Sequence, residues 1–171
     1  MTGPCFVDAN VFVYARDPRD PHKHQRAVDW VDLLWREARG RTSVQALSEF
    51  YAVATRKLTP KVAPELAWRD VERYLGWRPR ATDEELLRRA RSLEDRHRLS
   101  WWDSMIVAAA QLQNCEVLLT EDLQDGAVFG TVVVRSPFTH AVEQPAAAYE
   151  LRPAIASLHR SRGRPPRTAL A

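Results

Sequence analysis

Cysteine is scarce in this chain: Cys5 and Cys115 stand alone, far apart and outside any CxxC or metal-ligand spacing. A disulfide framework and thiol redox chemistry are therefore not indicated, and both residues are expected as reduced thiols in the core. No set of histidines and cysteines has zinc-site spacing, which argues against a zinc centre. No apolar run approaches the roughly 18 residues that a membrane-crossing helix needs. Between Met1 and Cys5 there is no basic region, long apolar stretch or small-residue cleavage site, so the expected location is the cytosol. Internal repeats are also absent.

What is present is ordinary for a folded chain: 171 residues, 45% hydrophobic and 27% charged, enough material for one domain with a real core. The distribution of charge says more than its total of +3. Arg152, Arg160, Arg162, Arg164 and Arg167 lie beyond residue 150 with no acid among them, which leaves 20 basic against 22 acidic residues before them. A basic tail on a slightly acidic body is a weak pointer to a phosphate-rich partner, because solvated chain ends often look the same. Strand and helix signals fade after Pro137, and Ser161–Arg167 is a low-complexity basic segment. The expected division is a folded domain over 1–140 and a basic, flexible tail over 141–171.

Within the domain, short apolar runs alternate with helical periodicity. Cys5-Phe6-Val7 reads as a buried strand that ends at Asp8 and turns into a short helix. Ala27, Val28, Val31, Leu34, Trp35 and Ala38 mark a helix over 24–39 with Gly40 as its stop, and 41–44 reads as a second strand. Val44, Leu47, Tyr51, Ala54 and Leu58 mark a helix that must finish before Pro60. Another runs from Pro64 to Leu75, and Trp77–Arg80 is expected as an edge strand. Thr82 is expected to cap the next helix through the box Thr82-Asp83-Glu84-Glu85, and Ser100 opens the one after it. Residues 116–120 and 131–134 are the remaining strands. This alternation predicts an α/β fold, a three-layer α/β/α sandwich around a central parallel sheet.

In such sheets the binding crevice lies outside the carboxyl ends of the strands, where Asp8 and Asp122 fall. Glu49 and Asp103 lie near the starts of helices and can reach the same crevice. Four ionised carboxylates about 4 Å apart repel pairwise by on the order of 4 kcal/mol at an effective dielectric near 20, so they need cations or protons. Hard oxygen ligands favour magnesium or manganese. Taken singly, most of these acids have a structural explanation. Ser100-Trp101-Trp102-Asp103 is itself a capping box, Glu49 is a plausible solvated helix residue, and Glu121–Gly126 is a good polar turn. Asp8 is different, because an acid between Phe6-Val7 and Val11-Phe12 is costly without a partner. His22-Lys23-His24 is expected as a surface loop, and Trp101-Trp102 as packing rather than base stacking.

Four segments then resemble a known family: Phe6-Val7-Asp8-Ala9-Asn10, Thr42-Ser43-Val44-Gln45 leading to Glu49-Phe50, Trp102-Asp103-Ser104 with the apolar run to Ala110, and Leu118-Leu119-Thr120-Glu121-Asp122 through Gly126. Together, in this order from Cys5 to Phe138, they resemble the PIN-domain toxins of the VapC type. The resemblance implies a magnesium- or manganese-dependent ribonuclease that cleaves single-stranded RNA, forms homodimers and is inhibited by a VapB-type antitoxin. It implies Asp8, Glu49, Asp103 and Asp122 as the catalytic acids, with Asp8, Asp103 and Asp122 as metal ligands. Asn10 and Ser43 match supporting polar positions, and Asp125 is an additional acid of variable role. The expected chemistry is in-line attack of a metal-activated water on a phosphodiester. A haloacid-dehalogenase-like phosphotransferase also places an aspartate after its first strand, but it needs a second aspartate where this chain has Asn10. A catalytically silent PIN scaffold that only binds RNA or protein is the other alternative, and the intact acids count against it.

Overall fold

The computed structural model describes residues 3–139; the tail expected over 141–171 lies outside them. Eleven elements follow one another among the described residues. They are β1 (Cys5–Val7), α1 (Ala9–Arg16), α2 (Pro21–Arg36), β2 (Gly40–Arg41), α3 (Val44–Arg56), α4 (Pro64–Leu75), α5 (Glu84–His97), α6 (Trp101–Leu112), β3 (Val117–Leu119), β4 (Val128–Phe129) and β5 (Val132–Arg135). The sheet has the order β2-β1-β3-β5-β4 and is parallel except for β4 at its edge. The fold is the mixed α/β arrangement that the alternation implies.

Strand periodicity sends neighbouring side chains to opposite faces, and the core divides accordingly. Cys5, Val7, Val117 and Leu119 face one layer with α1, α2, α3 and α4. Phe6, Leu118, Val132 and Val134 face the other, filled by α5 and α6. Both strands of the central pair are thus buried on both sides, which explains why they read as continuous apolar runs. Cys5 and Cys115 are buried free thiols, and burial pushes the Cys115 thiol up to about 12 and raises that of Cys5 as well, leaving both inert.

Several boundaries differ from the sequence reading for identifiable reasons. The second helix starts at Pro21 rather than at His24, because Asp20 accepts from the backbone N–H groups of His22 and Lys23 and Pro21 fits the first turn. It ends before Gly40, with Ala38 at φ 55° and the Arg39 N–H returning to the Leu34 carbonyl. Gly40 instead lies in β2 under the Trp77 indole, where a Cβ would come within 2.3 Å of the ring. The expected edge strand at Trp77–Arg80 is reduced to one bridge between Ser43 and Arg80. Trp77 turns inward to pack on Trp35, Phe12 and Tyr74, and this breaks the extended run. Asp83, not Thr82, caps α5, its carboxylate accepting from the Leu86 N–H. The β4–β5 hairpin was not expected; Gly130, at φ 64°, supplies its turn.

Phe12 is fully buried against Phe50, Tyr74 and Trp77, so it links α1 to the turn after α4. Phe12→Ala is expected to lower the unfolding free energy in urea by about 3–5 kcal/mol. A loss below about 1 kcal/mol would contradict this placement.

Candidate active site

The crevice forms where the chain crosses over. β2 lies on one side of β1 and β3 on the other, so the carboxyl ends of β1 and β3 open at a switch point of the sheet. β1 pairs with β3 in parallel register, Val7 opposite Leu119, and the Asp8 N–H donates to the Leu119 carbonyl at 3.1 Å. This register sets Asp8 beside Thr120. Asp8 is 7% exposed and caps α1, with Oδ1 accepting from the Ala9 N–H at 2.7 Å. Its Oδ2 accepts from the Thr120 hydroxyl at 2.8 Å.

Thr120 is the centre of the site. Its buried oxygen gives its single proton to Asp8 and accepts from Asn10 Nδ2 at 2.9 Å and from the Asp122 N–H at 3.1 Å. One donor and two acceptor positions are all that a hydroxyl has, and all three are used. Asn10 Nδ2 also reaches Asp122 Oδ2 at 3.0 Å, and this fixes the Asp122 carboxylate at the rim. No catalytic role was expected of Thr120 from the sequence. Its signal was a hydroxyl at the last strand position before Glu121-Asp122, where the buried end of a strand meets a polar turn.

The other acids arrive on helix starts. Ser43 is buried and caps α3, its hydroxyl accepting from the Ala46 N–H at 3.1 Å, and it thereby orients the first turns that carry Glu49. Asp103 lies in the first turn of α6. The Ser100 hydroxyl accepts from its N–H and donates to its Oδ2 at 2.7 Å, so capping and presentation of the carboxylate are the same contact. Asp125 accepts from the Ser136 N–H at 2.9 Å and so holds the end of the β3–β4 loop to the chain after β5. His22-Lys23-His24 is not a loop but the first turn of α2. Lys23 donates to Glu121 Oε2 at 2.5 Å and to the Tyr14 hydroxyl at 3.0 Å, and its Nζ lies over the rings of Tyr14 and Phe138. It fastens the loop that carries Asp122.

The electrostatics tie the four acids together. Burial, opposed by the hydrogen bonds from Thr120 and Ala9, pushes the Asp8 carboxyl up from 3.8 to about 6, and the charges of Asp122 and Glu49 push it further the same way. Glu49 is on the exposed side of α3, yet partial shielding and the charges of Asp122 and Asp103 raise its carboxyl against the pull of Lys57. Among the described residues no three carboxylate, histidine or cysteine groups stand close enough to grip one ion. The donor set nevertheless suits a hard divalent cation. The acids are mutually repelling oxygen ligands, and Asn10 Oδ1 is a buried acceptor with no hydrogen-bond partner beside Asp122.

Comparison with known proteins shows the family and the fold. Residues 5–124 match the PIN domain family, so the chain belongs to it; the members of this family are generally nucleases. A solved structure with a similar fold is VapC20 of Mycobacterium tuberculosis, described as a sarcin–ricin loop cleaving toxin. It matches with a TM-score of 0.53 and 18% identity over 67% of this chain and 86% of that one. No curated protein matches the chain. Among the described residues no helix is long and apolar enough to cross a membrane.

The raised Asp8 carboxyl makes stability depend on pH in a definite direction. The folded chain binds a proton at Asp8 between pH 3.8 and about 6, where the unfolded chain has largely released it. Metal-free protein is therefore most stabilised by this group below pH 4 and loses on the order of 3 kcal/mol as pH rises through 6. Urea unfolding of wild type and Asp8→Asn at pH 4 and pH 7.5 measures it: the gap between the two should move in favour of the variant at the higher pH. A constant gap would contradict the burial of an ionisable Asp8.

Proposed function

We propose that this protein is an endoribonuclease dependent on magnesium or manganese and that it acts as the toxin of a toxin–antitoxin pair. The observation that carries the reading is that Asp8 and Asp122 are held on one threonine at the ends of β1 and β3, with burial first and then the charges of Asp122 and Glu49 raising the Asp8 carboxyl, and burial first and then Asp122 and Asp103 raising that of Glu49. Membership of the PIN family supports nuclease chemistry, and the fold shared with VapC20 supports the toxin role. Asp8, Asp103 and Asp122 would hold the ion, which would have to draw together carboxylates that stand too far apart to share it in the metal-free chain. When bound, it supplies the positive charge that favours ionisation of an attacking water and offsets charge developing on the scissile phosphate.

The chain's own residues set the stage for that step. Thr120 and Ala9 keep both oxygens of Asp8 oriented, Asn10 and Thr120 hold Asp122, and Ser100 holds Asp103. Little side-chain reorganisation is then left for the moment of reaction. Among the described residues Glu49 has no such hydrogen-bonded clamp, and its carboxyl is raised, so it suits the role of accepting the proton of the attacking water. The partners that follow from this reading are RNA as substrate, a second copy of the chain in a homodimer, and a VapB-type antitoxin that covers the crevice.

Incubation of the purified protein with single-stranded RNA should yield discrete cleavage products with magnesium or manganese and none with excess chelator. Asp8→Asn and Glu49→Gln should each slow cleavage about a hundredfold or more while leaving the circular dichroism spectrum unchanged. Full activity in Asp8→Asn or in chelator would overturn the metal-dependent mechanism. RNA binding without any cleavage would replace it with a binding role.

A further inference from the structure

Trp101 and Trp102 have identical side chains and opposite fates. In a helix, consecutive residues point about 100° apart. Trp101 packs against the core beneath α6, whereas Trp102 is 65% exposed, more than any other large hydrophobic among the described residues. The other strongly exposed tryptophan, Trp68, rests edge-on against Tyr51. The Trp102 ring has no aromatic or cationic partner among the described residues. The expectation that both tryptophans pack inside therefore holds for Trp101 only.

The backbone of Trp102 is also anchored. Its carbonyl accepts from the Gln45 side chain of α3 at 3.4 Å, and the Ser100 cap fixes the turn it belongs to. The next residue is Asp103, one of the four crevice acids. Its neighbours Gln45, Ser100 and Asp103 are too polar for a wide apolar docking face. They leave one flat ring exposed on the first turn of α6, the turn that also carries Asp103.

From this we propose that Trp102 is a stacking platform for one unpaired base of the RNA and so selects single-stranded substrate. The inference rests on the ribonuclease reading above and extends it to how the substrate is held. A nucleotide whose phosphate lies at the carboxylates must place its base within one nucleotide's reach of them, and Trp102 is the exposed aromatic that the backbone fixes next to such an acid. Stacking offers attraction that phosphate contacts cannot: the crevice is acidic and repels the backbone, while an indole face attracts any base. Trp102 therefore contributes binding and positioning rather than proton transfer.

The test is RNA binding by the full chain in an Asp8→Asn background, so that substrate is not consumed, followed by fluorescence anisotropy of a labelled oligonucleotide. Adding Trp102→Ala should weaken binding of the single strand about tenfold, whereas Trp102→Phe should stay within about threefold. The same RNA annealed to its complement should bind the variants alike. Thermal unfolding of Trp102→Ala should match its parent, because the ring is exposed. Equal single-strand affinity for Trp102→Ala overturns the stacking role while leaving the ribonuclease reading intact. Failure of the parent to bind RNA overturns both. A changed molecular mass in sedimentation with unchanged RNA affinity would also overturn it and assign Trp102 to contact between copies of the chain.

Discussion

The hydroxyl of Thr120 joins the ends of two parallel strands that are 112 residues apart in the chain. It can do so because β1 and β3 pair in a register that sets Asp8 beside it, and because both strands are buried on both faces. That register is in turn specified by core packing: a slip of one residue in β1 would turn Phe6 into the layer of Val117 and Leu119, send Cys5 and Val7 into that of Leu118, and leave both layers mispacked. Hydrophobic burial thus determines the position of a polar site to within a hydrogen bond. Asn10 and Asp122 then attach to the same oxygen, so the first and fourth acidic segments are held by a single side chain.

The arrangement is electrostatically unfavourable on its own. A carboxylate in Asp8's position loses hydration and faces the charges of Asp122 and Glu49, and two hydrogen bonds recover only part of that cost. A chain selected for stability alone would place an apolar residue or an amide there. Retaining the charge makes sense where a cation supplies the missing partner, and this is the same physics that makes the metal-free protein less stable as pH rises. The supporting contacts follow the same logic. Helix capping by Ser100 and Ser43, and the Lys23–Glu121 pair beneath the loop, keep like charges from drifting apart.

Much of this was legible in the sequence because the apolar runs are short, strongly alternating with helices and punctuated by good caps. β1, β3, the helix starts at Pro64 and Ser100, and the crevice acids at strand ends all follow from local pattern. What failed did so where tertiary contacts overrode local preference. Trp77 left its expected strand for an aromatic cluster, and Gly40 served close packing under an indole rather than helix termination. Thr120 was hidden because a threonine at a strand end has many uses, and its role appears only when Asp8, Asn10 and Asp122 are seen around it. The opposite fates of Trp101 and Trp102 likewise depend on which face of α6 meets the core, which the local sequence of two identical side chains does not specify.

Sheet topology sets Asp8 beside Asp122 at a buried strand end where, among the described residues, no cation acts on its carboxyl. The most direct measurement is the titration of the Asp8 side-chain carboxyl by carbon-detected nuclear magnetic resonance, with and without magnesium. A midpoint near 6 is expected in metal-free protein, displaced to well below the usual carboxylate range by saturating magnesium. A midpoint near 4 that magnesium leaves unmoved would contradict it.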